Sequence, residues 1–133
     1  MTGIRRVNPE TVAPPTGYSH VVVAEGRRII FLAGQVPHAP DGTLVGPGDV
    51  VAQARQCFRN IRAGLEAVGA SPSDVVKITI FVVDYQPAQR DGIIAARDEV
   101  LAFEAPPAST FVGIQRLVRD EWLIEVEAVA VTA

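Results

Sequence analysis

The chain has 133 residues, of which 48% are hydrophobic and 20% charged, with a net charge of -3 at pH 7. This is the size of one domain, 1–133, that can bury an ordinary core unaided, and the composition excludes general disorder. The mild acidity, with no clustered Lys and Arg, argues against nucleic acid as a partner, and no apolar run approaches the ~20 residues that span a bilayer.

In chain order, a polar start with Pro9, Pro14 and Pro15 leads into a strand at 20–24, and Arg5-Arg6-Val7 allows a short strand before it. Glu25-Gly26-Arg27 predicts a hairpin turn, with the returning strand at 28–33. The loop 34–48 follows, rich in Gly and Pro, and a loop of that length is more often functional than accidental. Asp49 is a good N-cap for a helix whose apolar residues Val51, Ala54, Phe58, Ile61, Leu65 and Val68 recur at spacings of three and four. Gly69 terminates it. A strand is expected over 77–83, with Ile78, Ile80 and Val82 on one side. A second helix is expected over 86–103, with Ile93, Ala96, Val100 and Phe103 on one face. After Pro106-Pro107 come two closing strands, 110–114 and 122–131, around a polar turn. The order ββαβαββ predicts an α+β fold, a mixed sheet with two helices packed on one face. A single helical layer leaves the other face bare, and its apolar residues point to self-association there.

The last strand carries Glu125 and Glu127, two apart and therefore on the same face of an otherwise oily ribbon. Two readings stand at this point: a solvated sheet face, or a carboxylate at the floor of a site.

Several segments fall in a recognisable order: Gly17-Tyr18-Ser19-His20, Leu32-Ala33-Gly34-Gln35-Val36-Pro37, Gln53 with Asn60-Ile61, and Asp74-Val75-Val76-Lys77 with Phe81-Val82-Val83-Asp84. Pro107-Ala108-Ser109-Thr110 and Ile124-Glu125-Val126-Glu127-Ala128 complete it. Over nearly its whole length the chain resembles the Rid family, the reactive intermediate deaminases also called YjgF or L-PSP endoribonuclease-like proteins. The resemblance implies a chorismate-mutase-like fold in a homotrimer, with three sheets forming a central barrel and ligand clefts between subunits. The deaminating members hydrolyse 2-imino or enamine acids to 2-oxo acids and ammonia. They hold the substrate carboxylate with an arginine after Pro-Ala, and here Ser109 stands in its place. An arginine fork offers charge-assisted bidentate bonds where a serine offers one neutral donor, so affinity for an amino-acid-derived imine should fall. Ile94 stands near the place of a second-helix asparagine.

Tyr18 matches the family's cleft tyrosine, and Glu125 matches the glutamate that orients or activates water. Glu125 is the catalytic candidate, with Tyr18, Ser109 and Arg97 as substrate-binding candidates. Arg97 would be the replacement cation, although Asp98 and Glu99 beside it favour a solvated helix residue. Arg116, near the mouth, carries the same alternative. Glu127 is expected at the trimer's central channel or in an intersubunit hydrogen bond.

Ser109 has no histidine or lysine nearby in sequence and is not an activated nucleophile. Cys57 reads as a small buried hydrophobe and, as the only cysteine, fits a reducing compartment. With no secretory signal at the amino terminus, a soluble cytoplasmic protein is expected. His20 and His38 lack further ligands at metal-binding spacing, so no metal is expected. Gly42, Gly46 and Gly48 do not make a phosphate loop, so no cofactor is expected either. The expected function is hydrolysis of a small imine, enamine or related electrophilic metabolite in an intersubunit cleft. A non-catalytic small-molecule-binding trimer is the alternative, and endoribonuclease activity the weakest reading.

Overall fold

A computed structural model describes residues 3–133. Its strands are β1 (Gly3–Val7), β2 (Val21–Glu25), β3 (Arg28–Gln35), β4 (Val75–Val83), β5 (Ala108–Ile114) and β6 (Ile124–Thr132). Its helices are α1 (Val50–Ala67) and α2 (Arg90–Leu101), which lie on one face of a mixed four-stranded sheet of order β3-β6-β4-β5. β6 is antiparallel to both β3 and β4, and β5 is parallel to β4. The two closing strands are therefore separated by β4.

Strand parity builds the core. Ile78, Ile80 and Val82 of β4 and Ile124, Val126, Ala128 and Ala130 of β6 are buried and pack with Phe58, Ile61 and Leu65 of α1. Each large aliphatic or aromatic side chain so buried stabilises the fold by about 1.5–3 kcal/mol. The alternate residues of the same strands face the other way. On that open face Phe31 is 77% exposed and Ile29 62%.

α1 starts where its cap predicts. The Asp49 carboxylate accepts hydrogen bonds from the Val51 and Ala52 backbone N–H groups at 3.1 and 3.0 Å. Gly69 follows the helix with a left-handed φ of 75°. The buried Gln53 amide donates to the carbonyls of Gly46 and Glu121 and accepts from the Leu123 N–H. Asn60 donates to the carbonyls of Val36 and His38. The long loop is thus pinned to α1 by side chains that satisfy its backbone, a structural role.

The hairpin expected at Glu25-Gly26-Arg27 does not form. β2 pairs with β1, and β3 pairs with β6. Gly26 serves close approach instead of a turn: a Cβ there would lie 2.5 Å from the Thr132 carbonyl oxygen. The Arg27 N–H donates to that same oxygen at 2.9 Å. The base of the β1–β2 arm is seated on the start of β5. Ser19 donates from N–H to the Pro107 carbonyl at 3.0 Å and from Oγ to the Pro106 carbonyl at 2.6 Å, and Arg6 Nε reaches the latter at 3.3 Å.

Two further boundaries move. α2 begins at Arg90 after a 3-10 turn over Pro87–Gln89, and it ends at Leu101 because Ala102 adopts a left-handed conformation. β6 begins at Ile124: Trp122 Nε1 is held by His38 and the Leu123 N–H by the Gln53 side chain, while the Leu123 carbonyl accepts from the Val83 N–H of β4 at 2.9 Å.

Candidate functional site

A cavity of about 230 Å³ opens between α2, the start of β5 and the segment preceding β2. Ser109 and Phe111 enter it from β5. They sit two apart, in register with Ile78 and Ile80, and so share the helix-covered face of the sheet. Arg90, Ile94 and Arg97 enter from α2, where spacings of four and three put them on one stripe. Gly17 and Tyr18 close the third side. Gly17 has φ 75°, and this left-handed turn, followed by the Ser19 anchor, aims Tyr18 at the cavity. Tyr18 is half-buried and meets the His20 ring edge-on at 5.2 Å.

Arg97 is not the solvated helix residue that its acidic neighbours favoured. Only 3% of it is exposed. Its Nη1 donates to the Gly17 carbonyl at 3.0 Å, while Nε and Nη2 lie 3.0 and 2.9 Å from Asp98 Oδ1. Its guanidinium stands 5.6 Å from the centre of the Phe103 ring. The reason for the burial is geometric: Asp98 turns back to pair with it while the helix stripe faces inward.

Arg90 was absent from the sequence candidates. Its contacts to the Thr16 carbonyl and the Asp91 carboxylate are both 3.5 Å, at the limit of a hydrogen bond. The Arg90-Ile94-Arg97 spacing was the signal that could have found it. The Nη2 atoms of Arg90 and Arg97 both lie 3.9 Å from where a Cβ on Gly17 would stand.

Glu125 lies elsewhere. It pairs in register with Phe81, which also pairs with Val112, so it belongs to the open face, opposite Ser109 and Phe111. Its carboxylate lies across Gly34, where a Cβ would come within 2.4 Å of Oε2. Partial burial, and to a lesser degree the charge of Glu127, push Glu125 above the ordinary carboxylate range. Glu127 is exposed on the same face. Within one chain the cavity thus gathers Tyr18, Ser109 and Arg97 but does not include Glu125.

The remaining candidates are accounted for locally. Arg116 does not reach this cavity; it pairs with Asp120 at 2.7 Å beside a separate depression near Trp122. Cys57 is buried, and burial first, then the negative charge of Glu125, push its thiol far up, which makes it inert. His38 Nε2 accepts from Trp122 Nε1 at 2.8 Å, and its Nδ1–H donates to the Gly42 carbonyl. The His20 ring bonds the Ala13 carbonyl. Among the described residues no group of three His, Cys, Asp or Glu side chains is placed to hold a metal, and no helix is long and apolar enough to cross a membrane.

Comparison with known proteins agrees with this architecture. The model of the family described as Endoribonuclease L-PSP matches residues 9–132. A RutC family protein of Pyrococcus horikoshii is 37% identical over 125 residues, covering 92% of this chain and 90% of that one. The 2-iminobutanoate/2-iminopropanoate deaminase of Escherichia coli is 39% identical over 106 residues, covering 77% and 79%. The crystal structure of YyfB, a Rid family protein of unknown function from Yersinia pestis, superposes with a TM-score of 0.90 at 39% identity, covering 96% and 98%.

Proposed function

The chain belongs to the Endoribonuclease L-PSP family, the Rid or YjgF proteins, and has their chorismate-mutase-like α+β fold; from that premise we propose that it hydrolyses a small imine, enamine or related electrophile in a cleft completed by a second copy of itself. The observation that carries the reading is the division of its residues between two faces of one sheet. Tyr18, Ser109 and a guanidinium from α2 line a cavity on one side, and Glu125 stands on the other. Only a neighbouring protomer can bring a Glu125 to this cavity. The open face offers a reason for one to dock, because Ile29 and Phe31 are too exposed and apolar to be left in water. A homotrimer closed around these faces, as the family resemblance implies, supplies three such clefts.

The chemistry follows from the donors present. Water adds to the C=N carbon, Glu125 of the neighbour takes a proton from that water, and the nitrogen leaves as ammonia once it has been protonated. The products are the carbonyl compound and ammonia. A carboxyl whose pKa is raised by burial exchanges protons nearer to neutrality than an ordinary one. The Ser109 and Tyr18 hydroxyls supply neutral hydrogen bonds that orient the substrate.

Ser109 stands where deaminating members place a carboxylate-binding arginine, so 2-iminopropanoate and 2-iminobutanoate, named for the E. coli relative, should be turned over slowly here. The test generates the imine with an amino-acid oxidase and follows release of the 2-oxo acid, using a panel that runs from these two acids to larger imines and enamines. Acceleration of at least one member is expected. Binding without acceleration of any would replace this reading with a non-catalytic small-molecule-binding trimer.

A further inference from the structure

We propose that the anion-binding cation of this cavity is Arg90, that its ligand is the carboxylate of a small acid, and that Arg97 is a positioning residue that holds the Gly17–Tyr18 wall. The proposal deepens the reading of the same cavity given above and rests on it for the substrate class, but its test is one of binding and not of turnover.

The two guanidiniums differ in how their donors are spent. Every guanidinium nitrogen of Arg97 is already engaged, Nη1 with the Gly17 carbonyl and Nε and Nη2 with Asp98, in a residue only 3% exposed. Its charge is balanced by Asp98, and its plane is packed near Phe103. Three of its five N–H donors are spent, and turning the group to offer a ligand its fork would break bonds that fix the segment carrying Tyr18. Arg90 is the reverse case. Its contacts, both at 3.5 Å, hold it weakly, and its side chain is 42% exposed. The Asp91 partner is itself 96% exposed, so this ion pair is screened and contributes little. Arg90 therefore retains both its charge and its donors, and it lines the same cavity as the Ser109 and Tyr18 side chains.

A carboxylate fits this set. The guanidinium fork can donate to it bidentately, and the hydroxyls of Ser109 and Tyr18 can donate to the carbonyl or imine end. The clamp that the family resemblance places on β5 is thereby moved to α2, with Ser109 leaving room for it. The anion then sits under the α2 side of the cavity instead of at the start of β5.

The test titrates 2-oxobutanoate and its uncharged counterpart 2-oxobutanamide into the intact protein and its variants by calorimetry. The unmodified protein should prefer the acid. Arg90→Gln should weaken acid binding about 10- to 100-fold, leave amide binding and the melting temperature unchanged, and so abolish the preference. Arg90→Lys, which keeps the charge but not the fork, should restore part of it. Arg97→Lys should lower the melting temperature and weaken both ligands alike while the preference for the acid persists. A positioning role predicts that last pattern, and a direct anion contact does not. The proposal is overturned if the unmodified protein shows no acid preference, if Arg90→Gln keeps it, or if Arg97→Lys alone abolishes it. A protein that shows the expected preferences but hydrolyses no imine would sink the enzymatic reading and leave this one standing.

Discussion

The two faces of the four-stranded sheet are built from the same strands and finished to different degrees. On the helix side every other residue of β4 and β6 is sealed beneath α1 and α2, and a cavity lies there between α2, the start of β5 and the segment before β2. On the other side Ile29 and Phe31 stand open, and Glu125 lies further along the same face, against Gly34, with a pKa raised by partial burial. One face is covered by helices; the other is bare. On the function proposed above, substrate holding and proton handling lie on opposite faces of the sheet and should therefore be separable by mutation.

The largest effect should come from Glu125→Gln. If Glu125 manages the proton, turnover should fall at least about 100-fold, since general acid–base catalysis is worth about 100- to 10,000-fold. Binding of 2-oxobutanoate should be retained. Glu127→Gln serves as the control on the same face, and equal kinetic losses from both would mean that the pair acts together. The same variant has a pH signature in stability. A carboxyl whose folded pKa lies above its unfolded value favours folding when protonated. Its contribution is present below the unfolded pKa and is lost as pH rises through the folded one. From acid to neutral pH the melting temperature of the unmodified protein should drop relative to that of Glu125→Gln; a difference that does not change with pH would show that Glu125 titrates normally.

Phe31→Glu addresses the unfinished face directly. Sedimentation at micromolar concentration should show a trimer for the unmodified chain and smaller species for the variant. Imine turnover should be lost with assembly, while acid binding in the cavity is retained. A variant that stays trimeric would move the interface off this face. The smallest effect belongs to the finished side. Asp49→Ala removes the α1 cap and should cost about 1 kcal/mol of stability in chemical denaturation, with association and turnover unaffected.

What was legible in the sequence was local and periodic. α1, its Asp49 cap, its Gly69 terminator and the inward set Ile78, Ile80 and Val82 all follow from spacings within one segment. The missed hairpin came from an ambiguous glycine: Gly26 fits a turn as well as a close approach to Thr132, and only the tertiary partner distinguishes them. The burial of Arg97 was obscured by Asp98 and Glu99, although the stripe it shares with Arg90 and Ile94 was available to the same periodicity argument. The separation of Ser109 from Glu125 could not be read at all. Each strand's alternation is visible alone, but which face of β5 matches which face of β6 depends on their registers with β4.

The seat of Ser19 and Arg6 on the Pro106 and Pro107 carbonyls has a practical reach. The amino-terminal segment is bolted to the strand that presents Ser109, and Tyr18 hangs from that joint. Cleavage or truncation ahead of Tyr18 therefore edits the cavity wall as directly as a substitution in β5 would. A shortened version of this chain is best regarded as a site mutant.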